Sequence, residues 1–200
     1  MAIRLNGTGA VTRTSGFSLL ELLVTIGIAG ILAAIAVPAM RTYVQTYQAS
    51  NAASSLVVAL NYARSEAIKE DVPTAGGAGI TICASTLATA PPTCDTGSWA
   101  SGWIVLTPNV ALGNAGVLQQ SGALPATFTL TQAPANATIV FQPNGTAPAL
   151  VGDINGRSSF KLCDARGAKF ARELEVSRTG IIQASQTLGQ DVSGAALTCP

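Results

Sequence analysis

The sequence predicts an α+β fold in which one long N-terminal helix packs against a small, antiparallel, β-rich head. An apolar run extends from Phe17 to Val37, and an apolar stripe at helical spacing continues to about Glu70. Short segments rich in β-branched or aromatic residues then alternate with turn residues, and such separate helical and strand blocks are typical of α+β proteins. The expected segments are a polar leader, a membrane-length helix, its amphipathic continuation and the head, at 1–16, 17–37, 38–70 and 71–200.

The composition argues against an enzyme and against an ordinary nucleic-acid-binding protein. The chain of 200 residues is 48% hydrophobic and 10% charged, with a formal net charge of +1, whereas soluble domains carry about 25% charged residues. It contains no histidine, which excludes a Ser-His-Asp triad and imidazole zinc sites. We therefore expect no catalytic residue, no metal site and no cofactor.

The apolar run has the length of a membrane-spanning helix. From Phe17 to Val37 it would extend roughly 31 Å at 1.5 Å per residue, which matches the hydrocarbon thickness of a bilayer. Arg4 and Arg13 precede the run. The positive-inside rule therefore predicts a single-pass anchor with residues 1–16 in the cytoplasm and the remainder exported.

Glu21 is the one acidic residue inside this run. A carboxylate in the membrane costs about 2.5–3.5 kcal/mol on insertion scales, so it marks a functional position and needs a partner. No lysine or arginine lies within the run. A new α-amine at Phe17, made by cleavage just before it, would lie one helical turn from Glu21.

The hexapeptide Gly16-Phe17-Ser18-Leu19-Leu20-Glu21 resembles the class III signal of type IV pilins and of the pseudopilins of type II secretion. The resemblance implies that a prepilin peptidase cuts after Gly16 and N-methylates Phe17. It also implies that Glu21 is the membrane-buried glutamate used in assembly, and that Gly30 and Pro38 loosen the helix.

After Pro38 the helical pattern continues into an amphipathic segment. Pro38 removes a backbone hydrogen bond and should kink the helix. Asp71-Val72-Pro73 and a glycine-rich stretch should end it at about Glu70. The residues expected to face a core are Ala53, Leu56, Val57, Leu60, Ala63 and Ala67.

The remainder of the chain shows the pattern of an antiparallel sheet with hairpins. Asn144-Gly145 and Asn155-Gly156 are turn dipeptides, and Ser85–Gly97 and Pro108–Ala126 are predicted to be loops. The expected strands are Gly79–Ala84, Trp103–Thr107, Thr127–Thr131, Thr138–Gln142, Ser158–Cys163, Glu173–Ser177 and Gly180–Ala184.

Several segments of the second half resemble the GspH/FimT group of minor pilins. They are Ala59 to Ile68, Gly79 to Cys83, Trp99 to Val105, Ile139 to Gly145 and Phe160 to Asp164. With the N-terminus, the resemblance covers most of the chain from Gly16 to about Gln183. It implies a pilin-like fold, but it covers neither the loop at 108–126 nor the tail after 185.

Four cysteines, Cys83, Cys94, Cys163 and Cys199, are expected to form two disulfides in an exported head, and the sequence allows three pairings. Pairing Cys83 with Cys94 would close a short loop around Pro91-Pro92. Pairing Cys163 with Cys199 would clip the C-terminal tail to the sheet. We assign these bonds to stability.

Two further pairs of residues, one in the head and one at the end of the helix, have structural interpretations. Trp99 and Trp103 lie four residues apart, and we expect them to pack in the core and not to bind a ligand. Arg64 and Glu66 are expected to form a surface pair at the helix end, which contributes little to stability.

Basic residues gather late in the chain, and they raise DNA binding as an alternative that the sequence does not favour. Some FimT-type proteins bind DNA through a Gly-Arg-x-Arg element near the C-terminus. Here the corresponding stretch is Gly180-Ile181-Ile182-Gln183, which lacks both arginines. The weak candidates for DNA contact are Arg157, Lys161, Arg166, Lys169, Arg172 and Arg178.

The resemblance therefore implies a minor type IV pilin that primes assembly or occupies the tip of a pilus. The near alternative is a minor pseudopilin of type II secretion, and the distant one is a DNA-binding minor pilin in natural transformation. The implied partners are prepilin peptidase, other minor and major pilins or pseudopilins, and inner-membrane lipid before assembly. The N-terminus would be cytoplasmic and the head periplasmic before the chain enters a pilus or pseudopilus.

Overall fold

A computed structural model describes residues 17–69, 79–88, 91–95, 97–108, 116–135, 138–148 and 156–199. The chain divides into two compact units, Met1–Val44 and Gln45–Pro200. The first unit is helical from Leu19 onward, and all of its described residues are exposed. The expected leader at 1–16 lies outside the described residues.

One continuous helix, α1, spans Leu19–Lys69 and includes Pro38. The predicted end near Glu70 lies outside the described residues, which stop at Lys69. An 18-residue window of α1 has a mean hydropathy of 2.4 and none of it is buried, so the helix is long and apolar enough to cross a membrane. The length and apolar character of α1 therefore agree with the membrane-length helix that the sequence predicts.

The second unit contains eight strands in two antiparallel sheets. Sheet 1 has the order β3-β2-β1-β5, and sheet 2 has the order β4-β6-β7-β8. The strands are β1 Ile80–Ala84, β2 Trp103–Leu106, β3 Val117–Ser121, β4 Phe128–Ala133, β5 Ile139–Phe141, β6 Arg157–Asp164, β7 Arg172–Ser177 and β8 Ile182–Ala184. Seven of these coincide with predicted strands to within two residues at either end.

Strand β3 is where the sequence prediction was wrong, because it lies within the segment 108–126 that was predicted to be a loop. Its sequence begins with Val117 and Leu118 and continues with three polar residues, so it lacks apolar alternation. A strand at the edge of sheet 1, with no fully buried side chain, does not need that alternation. Pairing with β2 holds it in place, with an irregular register between Val105 and Leu106.

The core forms where the second half of α1 packs against both sheets. Leu56, Leu60 and Ala63 of α1 are at most 1% exposed, and they join Phe141 of sheet 1 and Phe160 of sheet 2 in one cluster. The predicted stripe was correct in outline but its centre is shifted. Ala53 and Val57 are half-buried beside the core, whereas Ala49, Ala52 and Ala59 are buried.

A C-terminal strap, Ser185–Cys199, follows β8 and is tied back to sheet 2. The backbone N–H of Gly189 donates to the Ala171 carbonyl at 2.9 Å. The N–H of Val192 donates to Glu173 Oε2 at 3.0 Å. Because Ala171 directly precedes β7 and Glu173 is its second residue, these bonds hold the strap against that end of the sheet.

Candidate processing and assembly site

The N-terminal end of the described chain exposes the residues of the expected processing motif. Phe17 is 75% exposed, and α1 begins two residues later. Glu21 lies in the first turn of the helix, where a negative charge interacts favourably with the helix dipole. Gly16 lies outside the described residues. The geometry therefore puts the carboxylate within one turn of Phe17.

Gly30 and Pro38 both lie inside α1, in its exposed first half. A Cβ added to Gly30 would meet no atom within 4 Å, so nothing in the chain itself requires a glycine there. The carbonyl of Pro38 accepts a hydrogen bond from the Thr42 hydroxyl at 3.3 Å. The helix-loosening role of both residues stays a prediction.

Arg166 connects the turn after β6 to α1 at the position where the helix enters the head. Its guanidinium donates to the Asp164 carboxylate through Nε at 3.0 Å and Nη2 at 2.5 Å. Its Nη1 donates to the Thr46 hydroxyl at 2.7 Å, and the ring of Phe170 lies 4.3 Å below it. The sequence analysis named Arg166 as a weak candidate for DNA contact. In the structure its guanidinium instead binds side chains of the same chain. No sequence pattern marks Thr46.

At the other end of the head, Arg64 does not pair with Glu66, so that expectation was wrong. Arg64 Nε donates to the Gly145 carbonyl at 3.1 Å, in the turn after β5. Glu66 instead binds Lys69 at 2.6 Å, and its carboxylate raises the pKa of Lys69. Residues two apart on a helix do not face each other, which explains the different partners.

Trp99 and Trp103 are both buried, as expected. The indole N–H of Trp99 donates to Gln132 Oε1 at 2.7 Å, and Gln132 Nε2 donates to the Ser158 hydroxyl at 2.9 Å. The Trp99 and Phe160 rings pack edge to face, with their centroids 4.7 Å apart. These buried hydrogen bonds link the segment before β2 to two strands of sheet 2. No sequence pattern indicated the role of Gln132.

The four cysteines form two disulfides. Cys83 of β1 is bonded to Cys94, with Cα atoms 5.6 Å apart. Cys163 of β6 is bonded to Cys199 at the end of the strap, with Cα atoms 6.0 Å apart. The first bond closes the loop after β1, and the second fixes the strap across sheet 2.

The six basic residues named as weak DNA candidates do not form one continuous basic surface. Arg157 of β6 pairs with Glu175 of β7 at 3.1 Å, and Arg166 pairs with Asp164. Lys161 lies opposite Glu173 in the β6–β7 register. Arg172 has its Nε atom buried at the start of β7, and Lys169 lies in the short turn before it. Arg178 is exposed in the turn after β7.

Two aspartates cap loops, and their contacts do not form a metal site. Hydrogen bonds from Thr86 and Gly97 lower the pKa of Asp95, and those from Ser193 and Ala195 lower the pKa of Asp191. Both carboxylates are therefore ionised at neutral pH. Within the described residues no group of three potential metal ligands occurs.

Comparison with known family models assigns the chain to a protein family. The family model described as type II transport protein GspH matches residues 52–180. The chain belongs to this GspH family. The model for the prokaryotic N-terminal methylation motif matches residues 12–37, which include Gly16, Phe17 and Glu21. Among curated proteins, none matches the chain at a significant level.

Solved structures agree with this GspH-family assignment. A crystal structure of the type IV minor pilin FimU from Pseudomonas aeruginosa PAO1 is 25% identical, covers 79% of this chain and 99% of its own, and has a TM-score of 0.54. A second crystal form of FimU, at 24% identity, covers 76% and 99% with a TM-score of 0.51. The GspH-family chain therefore has a pilin-like fold and belongs to the class of minor pilins and pseudopilins, which are structural subunits.

Proposed function

We propose that this chain is a minor type IV pilin that primes filament assembly or occupies the filament tip, after prepilin peptidase has cut between Gly16 and Phe17. The likeness to FimU carries the proposal, since it covers 99% of the crystallised minor-pilin chain and 79% of this one. The methylation-motif match supports the processing step, because it covers the residues on both sides of the cut.

In this proposal α1 spans the inner membrane before assembly, with the N-terminus cytoplasmic and the head periplasmic. The exposed apolar first half of α1 supports this arrangement. Glu21 attracts the methylated amine of Phe17 on a neighbouring subunit, because each would otherwise be an unpaired charge in lipid. The pairing sets the stagger between subunits as they leave the membrane.

A minor pseudopilin of type II secretion is the second candidate, and the description of the matching family favours it. The two candidates differ in the filament that the chain enters. DNA binding has less support, because Arg157 and Arg166 are engaged by carboxylates and the Gly-Arg-x-Arg element is absent.

The test is to follow a tagged chain in the native host after shearing the cell surface. We expect the chain in the sheared pilus fraction, and we expect it to disappear from that fraction when the pilus assembly ATPase is deleted. Deletion of the type II secretion ATPase serves as the matched control and should have no effect. Dependence on the secretion ATPase alone would identify a pseudopilin, and absence from both filaments would contradict the proposal.

A further inference from the structure

Two arginines, Arg64 and Arg178, lie at the end of the head where α1 finishes. In the described part of the chain neither guanidinium lies within ion-pair distance of a carboxylate. The neighbouring cations differ, because Lys69 binds Glu66 and Arg157 binds Glu175. Among the described residues at this end, Arg64 and Arg178 are therefore the cations without a carboxylate partner.

Arg64 is positioned in advance by its contact with a turn. It is half-buried, and its Nε donates to the Gly145 carbonyl at 3.1 Å. That bond uses one of the five guanidinium N–H donors and leaves the two terminal amino groups without a bond to any described residue. A guanidinium fixed in this way loses less side-chain entropy when it binds an anion.

The Arg178 side chain packs against a glycine. It lies against Gly156, where a Cβ built on the glycine would overlap the guanidinium. The φ of Gly156 is +64°, a conformation that also favours glycine. Glycine at this position therefore leaves the space that the arginine side chain occupies.

The two arginines belong to one surface because adjoining turns join them. The carbonyl of Arg178 accepts the N–H of Ala147 at 2.8 Å. Two residues further on, a Cβ built on Gly180 would lie 3.2 Å from Arg64 Nε. The turn after β7 thus carries Arg178 and also packs on Arg64.

We propose that Arg64 and Arg178 form a docking surface for the carboxylates of a neighbouring subunit in the filament. Guanidinium groups bind carboxylates through paired, charge-assisted hydrogen bonds. Nucleic acid fits the surface less well, because its affinity comes from many phosphate contacts and the adjacent cations are already neutralised. The proposal rests on the proposed assembly function only for the identity of the protein that owns the carboxylates.

The experiment measures anisotropy of a fluorescent oligoglutamate peptide with the full chain in non-ionic detergent micelles. We expect salt-sensitive binding, and we expect the double variant Arg64→Gln/Arg178→Gln to reduce affinity by about tenfold, as for loss of a charged hydrogen bond. Arg178→Gln alone should give a smaller loss. Because Arg178 makes no side-chain hydrogen bond within the described residues, that single variant keeps the test valid if the double variant unfolds.

Lys169→Gln is the matched control, since Lys169 is exposed at the opposite end of β6 and also has no ion-pair partner among the described residues. It should leave peptide affinity unchanged. No peptide binding by the parent chain, or an equal loss in Lys169→Gln, would overturn the proposal. Tighter binding of a DNA duplex that is lost in the same double variant would replace it with a nucleic-acid surface. Because this assay needs no filament, its failure beside normal filament incorporation would leave the proposed function standing.

Discussion

At the scale of single residues, the proposed assembly mechanism depends on Glu21. It is the one carboxylate in the exposed apolar half of α1, and it lies one turn from Phe17. Its position in the first helical turn gives it favourable interaction with the helix dipole. That interaction does not replace a counter-charge in lipid, so the amine of a processed Phe17 remains the proposed partner.

Glu21→Ala should leave peptidase processing largely intact and strongly reduce incorporation into the filament, because cleavage needs the residues around Gly16 whereas subunit stagger needs the carboxylate. Quantitative immunoblots of the membrane and sheared fractions measure both effects. Thr25→Ala is the matched control, since the Thr25 hydroxyl donates a hydrogen bond to the Leu22 carbonyl of its own helix. Normal incorporation of Glu21→Ala would contradict the amine–carboxylate pairing.

We expect the stability of the head to depend strongly on the buried side chain of Gln132. In Gln132→Leu the buried Trp99 N–H and Ser158 hydroxyl would lose their partner, and each unsatisfied group costs about 1–3 kcal/mol. Urea unfolding followed by tryptophan fluorescence should show a loss of at least about 2 kcal/mol. Gln120→Leu, on the exposed part of β3, should change the free energy of unfolding by less than about 0.5 kcal/mol.

Residue identity predicted some of these contacts and not others. The burial of Trp99 and Trp103 followed from their size and apolar character. The partner of Arg64 could not be predicted, because Gly145 is 81 residues away in the chain and only the fold brings it close. Gln132 and Thr46 are ordinary polar residues in the sequence, and their roles come from tertiary contacts.

At the scale of elements, periodicity predicted α1 and seven strands but not β3 or the strap. Runs of β-branched and aromatic residues indicate buried strands, as in β1 and β4. Edge strands and irregular segments lack that requirement, so Val117–Ser121 was assigned to a loop. The strap depends on backbone hydrogen bonds and on Cys199, which no periodicity records.

The two disulfides should stabilise the head to different degrees. The loop-entropy model gives about 3.8 kcal/mol for the Cys163–Cys199 bond and about 2.8 kcal/mol for Cys83–Cys94, since the sequence separations are 36 and 11 residues. We therefore expect Cys163→Ser/Cys199→Ser to lower the free energy of unfolding by more than Cys83→Ser/Cys94→Ser. Urea titrations of the two double variants provide the comparison, each serving as the control for the other. The reverse order would show that the strap adds little to the stability of the fold.

At the scale of the whole molecule, the chain combines a GspH-family head with a methylation-motif N-terminus. The second half of α1 is buried against both sheets, whereas the first half exposes a membrane-length apolar surface. The fold class and family were predictable because the apolar run, Glu21 and the strand pattern are local features of the sequence. The choice between pilus and secretion filament was not predictable, because neither composition nor the fold of one subunit identifies its neighbours.

Mass spectrometry of the chain recovered from sheared filaments tests the central claim most directly. The account predicts an N-terminal peptide that begins at Phe17 and is heavier than the unmodified peptide by one methyl group. Replacing Gly16 with a bulky residue should abolish this peptide and leave the full-length chain in the membrane. A parent chain that retains Met1, or that is cut elsewhere, would contradict the proposed pairing of Glu21 with a processed N-terminal amine.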